Sequence, residues 1–204
     1  MNKVNYNDKF NEQISKVKAT DKILLHVCCA PCLSGAIKRF EGLNLTLYFY
    51  NPNIMYKEEY DKRANALIDY VDKINKGLAG VKFDKKVRLI IPEYDNLYFL
   101  NKISGFENEK EGGKRCSICF ALRLQKTYEF AKDNYYKYFC TTLTVSPHKD
   151  ADIINRIGQQ YEGYIPSDFK KNDGYLNSIK ECKKHNIYRQ TYCGCLFSTN
   201  NIKK

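Results

Sequence analysis

Ile23-Leu24-Leu25-His26-Val27-Cys28-Cys29-Ala30-Pro31-Cys32 decides how this chain is read. Its first half is a short apolar run flanked by the polar pair Thr20-Asp21, which predicts a buried strand. Its second half is a cluster of three thiols in five residues, with a proline at the point where a helix can start. A strand that runs directly into a thiol-bearing turn, with a helical pattern over Leu33 to Phe40 and a stop at Gly42, is the opening unit of an α/β sheet.

The same alternation continues outward. Leu43 to Tyr50 predicts a second strand, stopped by Asn51-Pro52-Asn53, and Tyr56 to Asn75 a long charged helix closed by Lys76-Gly77. Val87 to Ile91 predicts a third strand, ended by Pro92. Glu93 to Lys114 reads as loop or short helices. Cys116 and Cys119 open a helix that runs to about Asp133. Tyr136 to Val145 predicts a fourth strand cut by Ser146-Pro147, and Asp150 to Glu162 a helix. A weaker helical pattern closes over Ile179 to His185, and Met1 to Ala19 reads as an amphipathic helix or arm. The pattern predicts a Rossmann-like, mostly parallel sheet with helices on both faces. It also predicts one domain over residues 1–204, whose irregular segment 163–204 returns to complete the site. In such sheets ligands bind beyond the carboxyl ends of the strands. Cys28 and Cys29, Asn51 and Asn53, and Ser146 with His148 all fall at that edge.

The composition bounds the function. At 43% hydrophobic and 28% charged, the chain is ordinary for a soluble globular protein and needs no disulfides to hold a core. No apolar run approaches the roughly 18 residues that span a bilayer, and Met1 to Thr20 has no secretory pattern. We therefore expect a cytoplasmic protein without membrane contact. The net charge of +11 points to a polyanionic partner such as RNA, although the lysines are spread along the chain rather than gathered in one block.

Seven of the nine cysteines lie in three groups: Cys28-Cys29-x-x-Cys32, Cys116-x-x-Cys119 and Cys193-Gly194-Cys195. In a reducing compartment such groups bind metal or do redox chemistry more often than they form structural bridges. The first group sits where a helix N-terminus favours thiolates; Cys29-x-x-Cys32 also fits a thiol–disulfide pair. Cys116 and Cys119 fit half of a zinc site, but no second pair stands at zinc-ribbon spacing, and two pairs from separate segments fit an iron–sulfur cluster better. Cys193 and Cys195 fit either a strained, labile disulfide or two further metal ligands. Cys140 and Cys182 read as single buried residues, and His26 as a core histidine. Arg115, Arg123, Lys149 and Arg189 are candidate phosphate contacts. No glycine-rich phosphate loop follows the first strand, which argues against a nucleotide-dependent tRNA enzyme.

With these groups in order, the chain resembles the QueH-type epoxyqueuosine reductases. The resemblance rests on Leu24-Leu25-His26-Val27-Cys28-Cys29-Ala30-Pro31-Cys32, on Tyr48-Phe49-Tyr50-Asn51-Pro52-Asn53-Ile54 and on Arg115-Cys116-x-x-Cys119-Phe120-x-x-Arg123-Leu124. It continues in Thr141-Thr142-Leu143-x-x-Ser146-Pro147 and Tyr188-Arg189-Gln190-x-Tyr192-Cys193-Gly194-Cys195-x-x-Ser198. The resemblance implies removal of the epoxide oxygen of epoxyqueuosine at the wobble position of tRNA, the last step to queuosine. It implies a [4Fe–4S] cluster on Cys28, Cys29, Cys116 and Cys119, and a redox-active pair in Cys193 and Cys195. An additional mononuclear iron is implied beside the cluster. Some members carry an acidic residue where Cys32 stands here, so Cys32 would offer that iron a softer thiolate. The partners implied are the anticodon stem-loop and an electron donor. His148, Asp150 and Tyr192 are the candidate proton donors; Asn51, Asn53, Arg115, Arg123, Ser146 and Arg189 are candidate substrate contacts. The competing readings are a structural zinc protein that binds RNA and a thiol–disulfide oxidoreductase.

Overall fold

The computed structural model describes residues 4–201. Its centre is a four-stranded sheet of β1 (Lys22–His26), β2 (Asn44–Tyr48), β3 (Arg88–Ile90) and β4 (Tyr138–Thr141) in the order β3-β2-β1-β4. All three pairings are parallel. Ile23, Leu24 and Leu25 are fully buried, as a strand covered on both faces must be. The chain steps from β1 outward to β2 and β3, then returns to β4 on the other side of β1. The strand order therefore reverses between β1 and β4, the place where an open α/β sheet leaves a crevice beyond its carboxyl ends.

Seven α-helices among the described residues surround the sheet: α1 (Tyr6–Ile14), α2 (Ala30–Ala36), α3 (Lys57–Asn75), α4 (Asn96–Lys102), α5 (Lys114–Asp133), α6 (Ala151–Gly158) and α7 (Gly174–His185). Two packed groups stand out, α2 with α3 and α7, and α5 with α6, of which α5 also lies against β1 and β4. Gly35 lets α2 and α7 touch, because a Cβ there would stand 2.5 Å from the Gly174 carbonyl oxygen. No helix among the described residues is long and apolar enough to cross a membrane.

The expected α/β order holds, and the differences lie at element ends. The α1 helix is shorter than Met1 to Ala19, and Met1 itself lies outside the described residues. The α2 helix starts earlier than expected. Cys29 caps it by accepting the Cys32 N–H at 3.4 Å, and Pro31 fills the first turn where no N–H is needed. The expected strand over Tyr136 to Val145 keeps only four residues, then winds into a 3-10 turn, Thr142–Val145. Its partner β1 has already left the sheet after His26, so the backbone has nothing to pair with. The Thr141 hydroxyl captures the Leu143 N–H instead. The α7 helix begins five residues before Ile179, and α6 stops at Gly158 rather than Glu162.

Cys140 and Cys182 are single buried residues, as expected. His26 is also a core residue. Its Nδ1 lies 2.8 Å from Thr141 Oγ1 and its Nε2 3.0 Å from the Tyr50 carbonyl oxygen. Burial, with the Arg123 charge beside it, pulls its pKa down to about 3, so the ring is neutral at ordinary pH.

Candidate active site and thiol cluster

Beyond the carboxyl ends of β1 and β4 the first cysteine group forms a buried triad. The Sγ atoms of Cys28, Cys29 and Cys32 all lie within 4.8 Å of one another, and those of Cys28 and Cys29 are 3.9 Å apart. Thiolates bound at about 2.3 Å to one tetrahedral ion sit about 3.8 Å apart, so the spacing is of the kind that holds a metal. Local structure puts them there. Extended backbone at Cys29 and the helical start at Ala30 fold the three side chains toward one point, and the Thr142 hydroxyl accepts the Cys28 N–H at 3.2 Å. All nine cysteines are free thiols.

The charges within the triad are unequal. Hydrogen bonds from the Cys29 and Cys32 thiols hold Cys28 well below the ordinary thiol range, aided by Lys149 and Arg123. Donating to Cys28 pushes Cys29 up to about 12, and hydrogen bonds to Cys28 and Cys29 hold Cys32 well above its ordinary range. One thiolate shared among three sulfurs is the state a cation would meet.

Two adjoining cavities open here. The first, about 570 Å³, is lined by Cys28 and Cys32 from the triad, by Asn51 and Asn53 after β2, by Ser146, His148 and Lys149 after β4, and by Arg189, Tyr192 and Cys193 from the tail. The second is lined by Cys116, Cys119, Cys193 and Cys195, with Arg115 and Asp150. Glu111, Arg123, His148, Lys149 and Cys193 line both. The three cysteine groups thus meet around two connected spaces, and Cys193 stands at their junction. Burial raises the thiol pKa of Cys116 and Cys195 and takes Cys119 up to about 12, while Arg115 draws Cys116 and Cys195 the other way. Lys149 is held above its ordinary range: burial opposes its charge, but Cys28, Cys193 and Cys32 outweigh that.

The remaining expected residues divide by what they already do. Arg123 is buried, donates from Nη2 to Asn51 Oδ1, and carries its charge to both cavities. Asn51 Nδ2 donates to the Val27 carbonyl at 2.9 Å, so Asn51 shapes the turn that carries the triad. Asn53 Nδ2 donates to the Cys193 carbonyl, and its Oδ1 is buried without a partner among the described residues. Ser146 accepts the His148 N–H, leaving the exposed His148 ring over both cavities. Arg189 lies over the Tyr175 ring and donates to Ser178 at the rim of the first cavity. Asp150 lines only the second cavity, and its Oδ1 accepts the Asp152 and Ile153 N–H groups as the cap of α6. Arg115 also lines only the second cavity and is 1% exposed.

Sequence reasoning missed Arg63, Gln190 and Thr142. Arg63 reaches from α3 to the tail, donating to the Cys193 and Tyr192 carbonyls at 3.1 Å each and pairing with Glu59 at 2.7 Å. The only signal, Glu59 and Arg63 one helical turn apart, is the spacing of any solvated helix pair. Gln190 was visible only as part of the tail motif, yet its side chain reaches Cys29.

A family model described as "Epoxyqueuosine reductase QueH" matches residues 23–201. Among curated proteins, the chain is 38% identical to the epoxyqueuosine reductase QueH of Streptococcus pyogenes serotype M1, over 96% of this chain and 78% of that one. It is 39% identical to the protein of that name from Staphylococcus epidermidis, over 96% and 85%. For the one from Thermotoga maritima the identity is 34%, over 86% and 89%.

Proposed function

This chain belongs to the epoxyqueuosine reductase QueH family, and on that premise we propose that it reduces epoxyqueuosine in tRNA to queuosine. The observation that carries the reading is the meeting of three cysteine groups around two joined cavities at the β1/β4 crevice, with Cys193 lining both.

The donor set fits iron: a buried triad with one shared thiolate, four more thiols around the adjoining space, and cations rather than carboxylates buried beside them. In our reading Cys28, Cys29, Cys116 and Cys119 hold a [4Fe–4S] cluster, and Cys32 contributes to a neighbouring iron. Such centres supply single electrons and Lewis acidity. The protein side of the reaction falls to Cys193 and Cys195. Removing an epoxide oxygen as water, to leave an alkene, takes two electrons and two protons. A dithiol closing to a disulfide releases two of each. His148 and Tyr192 border the first cavity where a proton has to reach the leaving oxygen. Asp150 is the weaker candidate, since its carboxylate is engaged in capping α6.

A space of about 570 Å³ has the size of a single-ligand pocket. It takes one nucleoside and excludes a paired stem, so the substrate base enters turned out of its stack. The rim suits the phosphates beside it, with Arg189 lying over Tyr175; on α3 and the tail Lys62 stands 4.0 Å above the Tyr188 ring. The segment 163–204 then completes the site rather than forming a separate unit.

The test is anaerobic purification with iron, sulfide and zinc quantified, followed by mass spectrometry of epoxyqueuosine-containing tRNA incubated with the protein and a reductant. Iron, labile sulfide and a loss of one oxygen from the nucleoside support the reading. Zinc alone with intact substrate replaces it by a structural zinc protein. Turnover by metal-free protein makes it a thiol–disulfide enzyme.

A further inference from the structure

Arg115 is the least explained charge in the molecule. It sits in the first turn of α5 with 1% of its surface exposed. One nitrogen, Nη1, donates to the carbonyls of Phe106, Glu107 and Glu109 and so ties down the turn before the helix. The other two, Nε and Nη2, are buried with no partner among the described residues. Among the described residues no carboxylate pairs with the guanidinium. The two acids lining the same cavity, Glu111 and Asp150, are exposed, and Asp150 is occupied as a helix cap. One flank is apolar, with the Phe197 ring 5.4 Å away. A buried cation with idle donors is costly unless an anion compensates it. Besides those two exposed acids, the space it lines offers sulfur, that of Cys116, Cys119, Cys193 and Cys195 and of whatever they bind.

We propose that Arg115 is a positioning residue whose free Nε–H and Nη2–H donors bond anionic sulfur in the second cavity and raise the reduction potential of the iron–sulfur group that Cys116 and Cys119 help to hold. The proposal rests on the iron–sulfur reading given above. Its physical basis is general: positive charge and hydrogen bonds to cluster sulfur favour the reduced, more negative state. It also moves Arg115 away from the RNA, since the residue does not line the first cavity.

The experiment is a spectroelectrochemical titration of anaerobic holoprotein, wild type against Arg115→Gln and Arg115→Lys, with iron and sulfide counted in each. We expect Arg115→Gln to keep its iron and sulfide and to become at least about tenfold harder to reduce, about 59 mV lower for one electron. Arg115→Lys keeps the charge without the fork and should shift less, in the same direction. An unchanged potential in Arg115→Gln with an intact cluster overturns the proposal. Should that variant fail to fold, Arg115→Lys decides in the same way: a negative shift supports, no shift overturns. If wild-type protein takes up no iron or sulfide, the iron reading fails. The Cys193/Cys195 equilibrium in glutathione buffers then tests Arg115 by itself. A shift toward the disulfide in Arg115→Gln supports its role as the counter-charge, and no shift refutes it.

Discussion

Asn53 Nδ2 donates to the Cys193 carbonyl oxygen at 3.3 Å, joining the loop after β2 to a residue 140 positions later. Arg63 Nη1 donates to the same oxygen at 3.1 Å, and the Met55 N–H bonds the Gly194 carbonyl. The Cys-Gly-Cys turn is therefore hung over the crevice mainly by its backbone, with Asn53 Nδ2 also reaching the Cys193 sulfur at 3.9 Å.

Arg63 is the main fastening. Its replacement by Met should release the tail and strand Glu59, whose side chain is 13% exposed. Loss of one partner of a buried pair costs roughly 3–5 kcal/mol; Tyr188, which also bonds Glu59, should keep the loss near the lower figure. Urea unfolding measures the loss, and limited proteolysis should cut first near Cys193. Unchanged proteolysis would mean that the tail is held by other contacts.

Gly194 has φ +104°, and a Cβ there would stand 2.9 Å from Ile54 Cγ1 and 3.2 Å from Arg63 Nη1. Gly194→Ala should cost roughly 1–3 kcal/mol and push the turn off the crevice. We expect faster alkylation of Cys193 and slower turnover, with secondary structure by circular dichroism unchanged.

The two thiol roles proposed above separate by colour. Cys193→Ser should abolish turnover and leave the iron–sulfur absorbance in place. Cys116→Ser or Cys119→Ser should lose absorbance and iron together. Loss of the chromophore in Cys193→Ser would make that residue a ligand instead of a relay.

Alkali should unfold the protein in part through Tyr164. The phenol is buried, donates to Asn155 Oδ1 at 3.0 Å, and is held well above its ordinary value of 10.0 by burial and then by Cys140 and Tyr6. The unfolded chain loses this proton near pH 10 and the folded chain does not. The stabilisation is thus complete below that pH and is lost as the pH rises above it. Urea midpoints at about pH 8 and about pH 11 should diverge less in Tyr164→Phe, which should cost about 1 kcal/mol at the lower pH. An equal divergence would place the alkaline sensitivity elsewhere.

With a net charge of +11 and a cationic, aromatic rim, binding of a tRNA anticodon stem-loop should fall steeply with salt. Six to ten phosphate contacts would weaken it by about 10³ to 10⁵ between about 50 and 200 mM. Filter binding across that range checks it; a flat response would argue against direct docking.

The strand Ile23–Val27 and its thiol-bearing turn were legible because both signals are local: four apolar residues around His26 that read as buried, then a proline-marked helix start. The four strands and the carboxyl-edge position of Cys28, Asn53 and His148 followed from the same alternation. The end of β4 was not legible, because Thr142 to Val145 are as strand-like as the residues before them and stop pairing only when β1 turns away. Arg63 looked like an ordinary surface charge and Arg115 like a phosphate contact, since nothing in a helical charge pattern tells which guanidinium will be buried.

The amino-acid order by itself determined the α/β alternation, the thiol chemistry and, through its motifs, the family. Periodicity and short spacings act within a few residues and are read directly. The tertiary structure alone decided that the three thiols are buried, that Cys193 faces two cavities at once, and that Arg115, with no carboxylate partner among the described residues, lines the same cavity as four thiols. The junction at Cys193 joins residues more than fifty positions apart, and it exists only once the sheet has chosen its strand order and the tail has docked on α3.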